Sequence, residues 1–401
     1  QETFDGLLHW LLATTSKHAE LLVVEDLHWA DDSTLDLLEA LFMRLRAARL
    51  LVVCSARPEF TLGWPAHPSR VDMTLDRLSD REVEALLVTL DPVGGLSSAS
   101  VDAIRRRADG IPLFVNELAR SMASQPGMAS PSSVPASLRD LLRARIDGLA
   151  RGRSLLQYAA ALGQFFTIAG LAAALGAQPH DLQADVDYLM RQGFIEDAGA
   201  DGGLRFHHAL LRDEVYETTL RSERRRLHAE IADAILRAMP DALDRQPEVV
   251  ATHLAQAGRA VDAIAAWRRA GRRASERSAN VEAVQHFRNA LALLAGLPAN
   301  AERDRLELAL QVSLGGQLIA THGNAAPEVE AAYSAAERLC VSVEDRGLLF
   351  RALRGLQTFA MVRGRVESAT DIGRRLIEIA ETDGDAGLLL QAHRPMGLNL
   401  L

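Results

Sequence analysis

Residues 241–401 carry an almost unbroken helical pattern, Ala-rich and amphipathic with only short interruptions. A helix with one apolar stripe must bury that stripe against a neighbour, so a run this long folds as helices stacked in succession. Within the run, Trp267, Ala270, Gly271 and Ala274 are followed by Ala283, Phe287 and Ala290. That spacing places small residues where two paired helices approach and large rings in the gap between them. Pro298 is expected to end the second helix of this pair. Segments 327–340, 347–362 and 365–381 have similar lengths and match less well. A helical-repeat array is the expected architecture, and an irregular helical domain is its alternative.

The opposite end of the chain follows a different logic. Leu21-Leu22-Val23-Val24 and Leu50-Leu51-Val52-Val53-Cys54 are short continuous apolar runs, as expected of strands covered on both faces. Between them a helix is predicted over 33–46, opened by Asp32 and Ser33. Strand, helix, strand at this spacing is a βαβ unit and implies a parallel α/β sheet. Residues 78–122 read as helical, with a capping pattern at Ser79-Asp80-Arg81-Glu82 and a break at Gly110 and Pro112. Pro- and Ser-rich residues 124–135 read as a linker. Three helices, then Phe194–Asp197, a Gly-rich turn at 199–203 and Leu204–Phe206, suggest a winged helix.

Composition excludes several classes. Asp and Glu number 53 against 44 Lys and Arg, a net charge of -9, which disfavours broad electrostatic binding to nucleic acid or anionic membrane. The predicted recognition helix, about 180–192, sets Asp181, Asp185 and Asp187 against Arg191, so direct contact with nucleic acid is not expected. No apolar run approaches the ~20 residues of a membrane span. Two cysteines, Cys54 and Cys340, make no disulfide framework, which suggests a reducing cytoplasm. His207 and His208 lack a third ligand at metal-binding spacing and read as structural histidines. The Arg221–Arg226 cluster is interleaved with Glu223 and followed by Glu230, as on a solvated helix face.

The sharpest local motif is Leu21-Leu22-Val23-Val24-Glu25-Asp26-Leu27-His28-Trp29-Ala30-Asp31. An apolar strand ending in paired carboxylates can hold Mg²⁺ and direct an attacking water, because the ion is hard and prefers oxygen ligands. An acidic turn after an ordinary strand is the plain alternative. The longer context resembles the Walker B region of the signal-transduction ATPases with numerous domains (STAND). That resemblance implies an ATP- and Mg²⁺-binding module in which Glu25 holds the metal, Asp26 helps bind it and activates water, Arg57 acts as a catalytic sensor of the γ-phosphate, and Pro112 packs beside the adenine. Val52–Pro58 and Asp109–Leu118 resemble the sensor strand and lid of the same family. Phe206–Tyr216 resembles its winged-helix segment, and the Trp267–Ala290 spacing is similar to the tetratricopeptide repeat, with Ala in place of Leu and Tyr. Segments around 252–254, 279–283, 318–323 and 326–329 are similar to the repeat region of multidomain class III adenylate cyclases.

The resemblance implies a multidomain α/β plus mainly α chain. Residues 1–75 would be the C-terminal part of a P-loop ATPase core, 76–123 a helical lid, 124–135 a linker, 136–240 a winged helix and 241–401 tetratricopeptide-like repeats. One required part is missing. A Walker A loop, G-x-x-x-x-G-K-[ST], appears nowhere, and the sole lysine, Lys17, has no glycine near it. The chain is therefore expected to be a fragment, with that loop upstream of Gln1, and to bind ATP weakly by itself. The repeats are expected to bind a protein or small ligand, and homo-oligomerisation stays open. A nucleotide cyclase is the expected output; a LuxR-type regulator or a non-hydrolysing scaffold are the alternatives.

Overall fold

The computed structural model describes residues 2–15, 18–45, 49–61, 63–64, 70–90, 96–124, 137–199, 203–343 and 345–398. The chain divides into two compact units. The first comprises Gln1–Thr89 with Ala108–Pro112, and the second Leu90–Arg107 with Leu113–Leu401. Lys17 and nearly all of the expected linker, 125–135, lie outside the described residues.

The first unit opens with α1 (Glu2–Thr14), β1 (Glu20–Val24), a single 3-10 turn (Leu27–Trp29), α2 (Asp32–Arg44) and β2 (Leu50–Cys54), followed by α3 (Asp80–Leu90). The strands pair in parallel, with Leu22 opposite Val52 and Val24 opposite Cys54. This is the predicted strand-helix-strand unit, with two corrections. Among the described residues, only one face of the sheet is covered. Leu22, Val24, Leu50 and Val52 pack toward Leu8, Leu38 and Leu41 of the two helices. Leu21, Val23, Leu51 and Val53 point the other way and are 45–63% exposed. Side chains alternate along a strand, so two helices on one side leave every second residue bare. The second correction concerns the start of α2. Its cap is Asp31, whose carboxylate accepts from the Thr34 amide at 2.7 Å. Asp32 already has helical geometry, so the expected caps at 32 and 33 fall one and two residues late.

The box at the start of α3 forms as expected. Ser79 donates through its amide (2.8 Å) and hydroxyl (2.6 Å) to Glu82, and the Glu82 amide returns to the Ser79 hydroxyl.

The second unit contains α4 (Ser98–Ala108) except its last residue, α5 (Pro112–Ser124) except its first, α6 (Leu138–Asp147), α7 (Arg153–Leu162), β3 (Phe165–Thr167), α8 (Ile168–Leu175), α9 (Pro179–Arg191), β4 (Ile195–Asp197) and β5 (Gly203–Phe206). The two strands expected around 194–206 are present and antiparallel. A third, β3, pairs with β5 on its other side, so the order is β3-β5-β4. Phe166 and Phe206 meet edge to face at 5.7 Å beneath this sheet. Helices α10 (Ala209–Thr218) and α11 (Arg221–Ala238) complete one core, which runs from Leu142 to Ile231.

Buried ion pairs tie this core together. Glu117 is 1% exposed and paired with Arg145. The Arg145 guanidinium lies 4.4 Å over the Phe194 ring, and burial lowers its pKa. Glu214 is likewise buried and accepts from Arg143 at 3.0 Å.

The rest of the chain is helical: α12 (Ala242–Arg245), α13 (Pro247–Gln256), α14 (Ala260–Glu276), α15 (Asn280–Ala295), α16 (Ala301–His322), α17 (Pro327–Val343), α18 (Arg346–Val362), α19 (Val366–Asp383) and α20 (Ala386–Leu398). Trp267, Ala270, Gly271, Ala274, Ala283, Phe287 and Ala290 are all buried where α14 meets α15. A methyl at Gly271 would lie 2.5 Å from the Phe287 ring, so the close approach requires glycine there. Helix α15 ends at the Gly296 cap, two residues before the expected Pro298. Further along, the Tyr333 ring of α17 lies between two glycines. Methyls at Gly315 of α16 and Gly355 of α18 would approach it to 2.6 and 2.4 Å.

Candidate functional site

The chemistry-bearing motif lies at the carboxyl end of β1. The parallel pairing continues one step past both strands, as the Ser55 amide donates to Val24 O at 3.0 Å and the Leu27 amide to Ser55 O at 2.8 Å. The Asp26 amide is held by the Ser55 hydroxyl at 3.0 Å. Asp26 itself adopts a left-handed conformation, φ 55 and ψ 46. A non-glycine residue in this region is uncommon, and Asp and Asn enter it most readily. The turn leaves the Asp26 carboxylate half exposed, while Leu27 drops into the core at 1% exposure.

Four residues of the Leu-His-Trp-Ala-Asp run are placed in different ways. Leu27 anchors the turn in the core. His28 turns inward, and both of its ring nitrogens are buried with no hydrogen-bond partner among the described residues. Its Nδ1 lies 4.0 Å from an Asp26 carboxylate oxygen. Trp29 stays 64% exposed, and the Arg57 guanidinium lies 5.7 Å over its ring. Asp31 caps α2.

Glu25, Asp26 and Arg57 are therefore exposed neighbours of two paired strand ends. Pro112 starts α5 and belongs to the same compact unit. Nothing among the described residues bonds it to the strand ends. The Gly110 that precedes it has its own structural duty: the Leu78 amide donates to Gly110 O at 2.8 Å, and a side chain there would meet Leu78 O at 2.4 Å. Asp109 and Gly110 both have positive φ, and Asp109 pairs with Arg77.

Two adjacent exposed carboxylates suit Mg²⁺, a hard ion that keeps several waters and takes only one or two protein oxygens. The donor set therefore fits the metal. A triphosphate also needs a cradle of backbone amides and a lysine, and the sequence has no such loop.

Among the histidines, His207 Nδ1 is 2.6 Å from Glu196 Oε2. His208 Nε2 is buried with no partner among the described residues, so only His207 is the satisfied structural histidine that was expected. Cys54 and Cys340 are free thiols. Among the described residues, no helix is long and apolar enough to cross a membrane, and no group of three or more metal-binding side chains assembles.

A site that sequence reasoning missed lies in the second unit. His228 Nδ1 and His253 Nδ1 are 2.8 Å apart, and Tyr216 Oη is 2.9 Å from His228 Nε2. The residues come from α10, α11 and α13, and together they line a cavity of about 440 Å³. Burial pushes both histidines down to about 4, and for His228 the neighbouring His253 adds to the effect. No spacing rule brings 216, 228 and 253 together. The only local sign was a histidine on the buried stripe of each helix.

No protein-family model matches the sequence. An uncharacterized protein of Rhizobium meliloti (strain 1021) is 28% identical over 333 residues, which are 79% of this chain and 32% of that protein. The chain thus spans about a third of that relative's length. Among solved structures, a STAND protein with a tetratricopeptide repeat sensor from Pyrococcus horikoshii superposes with a TM-score of 0.46 and 13% identity. The superposition covers 99% of this chain and 67% of that one.

Proposed function

We propose that the chain is the regulatory part of an ATP-dependent signal-transduction protein. Glu25 would hold Mg²⁺ and Asp26 would direct the attacking water. Arg57 would stabilise charge on the transferring phosphate, Pro112 would pack against the adenine, and the helical repeats would bind a protein or small ligand. The observation that supports this reading best is the strand-end arrangement. The Asp26 amide is tied to Ser55 of the neighbouring strand, and its carboxylate is turned out to solvent beside Glu25. Asp tolerates the left-handed conformation better than most side chains, so this turn can carry a carboxylate where most residues would be strained.

In this reading the phosphate-cradling loop belongs to sequence outside these 401 residues, consistent with a longer relative of which the match covers 32%. Arg57 is poised for its part because its stack on Trp29 keeps the planar guanidinium at the strand ends. ATP would supply the transferred phosphoryl group and Mg²⁺ the charge that neutralises it. A nucleotide cyclase is the proposed output of the longer protein.

The test is Asp26→Asn in the longer protein that contains this chain. Hydrolysis is expected to fall by at least ~100-fold while Mg-ATP binding persists. Unchanged turnover would remove Asp26 from the role. Calorimetry on the 401-residue chain alone should show weak Mg-ATP binding or none, and micromolar affinity would contradict the missing cradle. Production of a cyclic nucleotide by the longer protein tests the proposed output.

A further inference from the structure

We infer that the cavity between α7, α10, α11 and α13 is a binding site for a small organic monocarboxylate, recognised by Arg212 and Tyr216 and read out by the His228–His253 pair. This rests on the second unit alone and stands or falls apart from the nucleotide reading.

The cavity, about 440 Å³, is large enough for a small metabolite. Its lining is part polar and part apolar. Tyr216, His228 and His253 form a continuous hydrogen-bond chain, and Leu162 and Val249 supply hydrocarbon wall. Thr252 and Gln256 line its exposed side.

Charge defines the ligand. Arg212 is the cation in the lining. Its Nη1 donates to Asp213 at 2.9 Å and its Nε to Ala160 O at 3.2 Å, which leaves Nη2 free among the described residues. Arg212 and Arg224 also lie 5.7 and 4.9 Å from the centre of the Tyr216 ring, and Arg224 pairs with Glu217 at 3.5 Å. The Arg212 charge is already shared with Asp213, so the lining offers hydrogen-bond donors for one carboxylate but little positive charge beyond that. A phosphate dianion would remain undercompensated in such a cavity. A carboxylate has two acceptor oxygens, which match Arg212 Nη2 and the Tyr216 hydroxyl.

The histidine pair makes the site polar in a direction. Burial holds both rings neutral, so each carries one N–H and one bare nitrogen. The bond between two Nδ1 atoms needs one donor and one acceptor. If His228 Nδ1–H donates, His228 Nε2 accepts from Tyr216 and His253 exposes Nε2–H. If His253 Nδ1–H donates, His228 Nε2–H points at the Tyr216 oxygen, and the Tyr216 O–H is released toward the cavity. A carboxylate beside Arg212 selects the second arrangement. Ligand binding at the α10 end then fixes the tautomer of a residue on α13.

The test titrates the 401-residue chain with benzoate, hexanoate and inorganic phosphate by calorimetry, with thermal unfolding measured in parallel. Benzoate or hexanoate should bind and raise Tm, with phosphate at least tenfold weaker. Thr252→Trp, at an exposed lining position, should leave the ligand-free Tm in place and abolish binding. Tyr216→Phe should weaken it at least tenfold. In ¹⁵N spectra of labelled histidine, benzoate should fix His253 as the Nδ1–H tautomer. Failure of both carboxylates to bind, phosphate binding as tightly as they do, or full affinity in Thr252→Trp would each overturn the assignment.

Discussion

The two strand ends of the first unit and the helix pairs of the second use backbone freedom in opposite ways. At Asp26 a side chain occupies a conformation that suits glycine, and the residue is exposed. At Gly271, Gly315 and Gly355 glycine occupies ordinary helix, where alanine would be preferred, because an aromatic ring fills the space a methyl needs. The first arrangement places a carboxylate in solvent at some conformational cost. The second gives up helix propensity for close packing. Strain beside exposed chemistry suggests function, whereas a glycine against a buried ring suggests architecture.

The largest expected effect tests whether the helical unit depends on neutral buried groups. His228 and His253 have folded pKa values near 4 against an ordinary 6.5, so the unfolded chain binds more protons between those limits. Stability is full above pH 6.5, falls as pH drops toward 4, and levels off below it. Together the pair should remove on the order of 5 kcal/mol across that window. Far-UV circular dichroism, which reports the helices, should show the loss, and a double His→Gln variant should flatten the slope. A flat profile in the native chain would break the comparison.

Next comes the buried ion pair. Arg145→Met leaves Glu117 charged and nearly solvent-free, which should cost ~3–5 kcal/mol. Urea denaturation measures it, and adding Glu117→Leu should recover most of the loss. The glycine positions follow. Gly355→Ala gains helix propensity but drives a methyl into Tyr333, so a net loss of ~1–3 kcal/mol is expected. A gain instead would show that the ring can move aside.

The smallest effect has the opposite sign. Asp26→Gly relieves the left-handed strain and should stabilise the chain by ~0.5–1 kcal/mol, while the carboxylate is lost. Three of the four tryptophans, Trp10, Trp29 and Trp64, lie in the first unit, so intrinsic fluorescence reports this change selectively. A destabilised Asp26→Gly would mean that the carboxylate itself supports the fold.

Much of this was legible in the residues. The two apolar runs gave away the parallel strand pair, and the Trp267-to-Ala290 spacing located the packed faces of α14 and α15. Other features escaped for identifiable reasons. A run such as Leu-Leu-Val-Val reads as doubly covered, yet whether both faces meet a neighbour depends on the other elements present. β3 is three residues long and too short for any periodicity to show. The cap at Asp31 was obscured because Asp31, Asp32 and Ser33 are all good caps, and only backbone geometry separates them. Tyr333 between two glycines, and the chain from Tyr216 to His253, join residues far apart in sequence, which no local pattern encodes.

The Tyr333 arrangement also has an evolutionary consequence. Positions 315, 333 and 355 are physically coupled: a lineage that shrinks the ring frees both glycines at once, and one that enlarges either glycine must displace the ring or give it up. The three positions therefore form a single heritable character, and their joint state in related chains would mark which ones keep α16, α17 and α18 at the same close spacing.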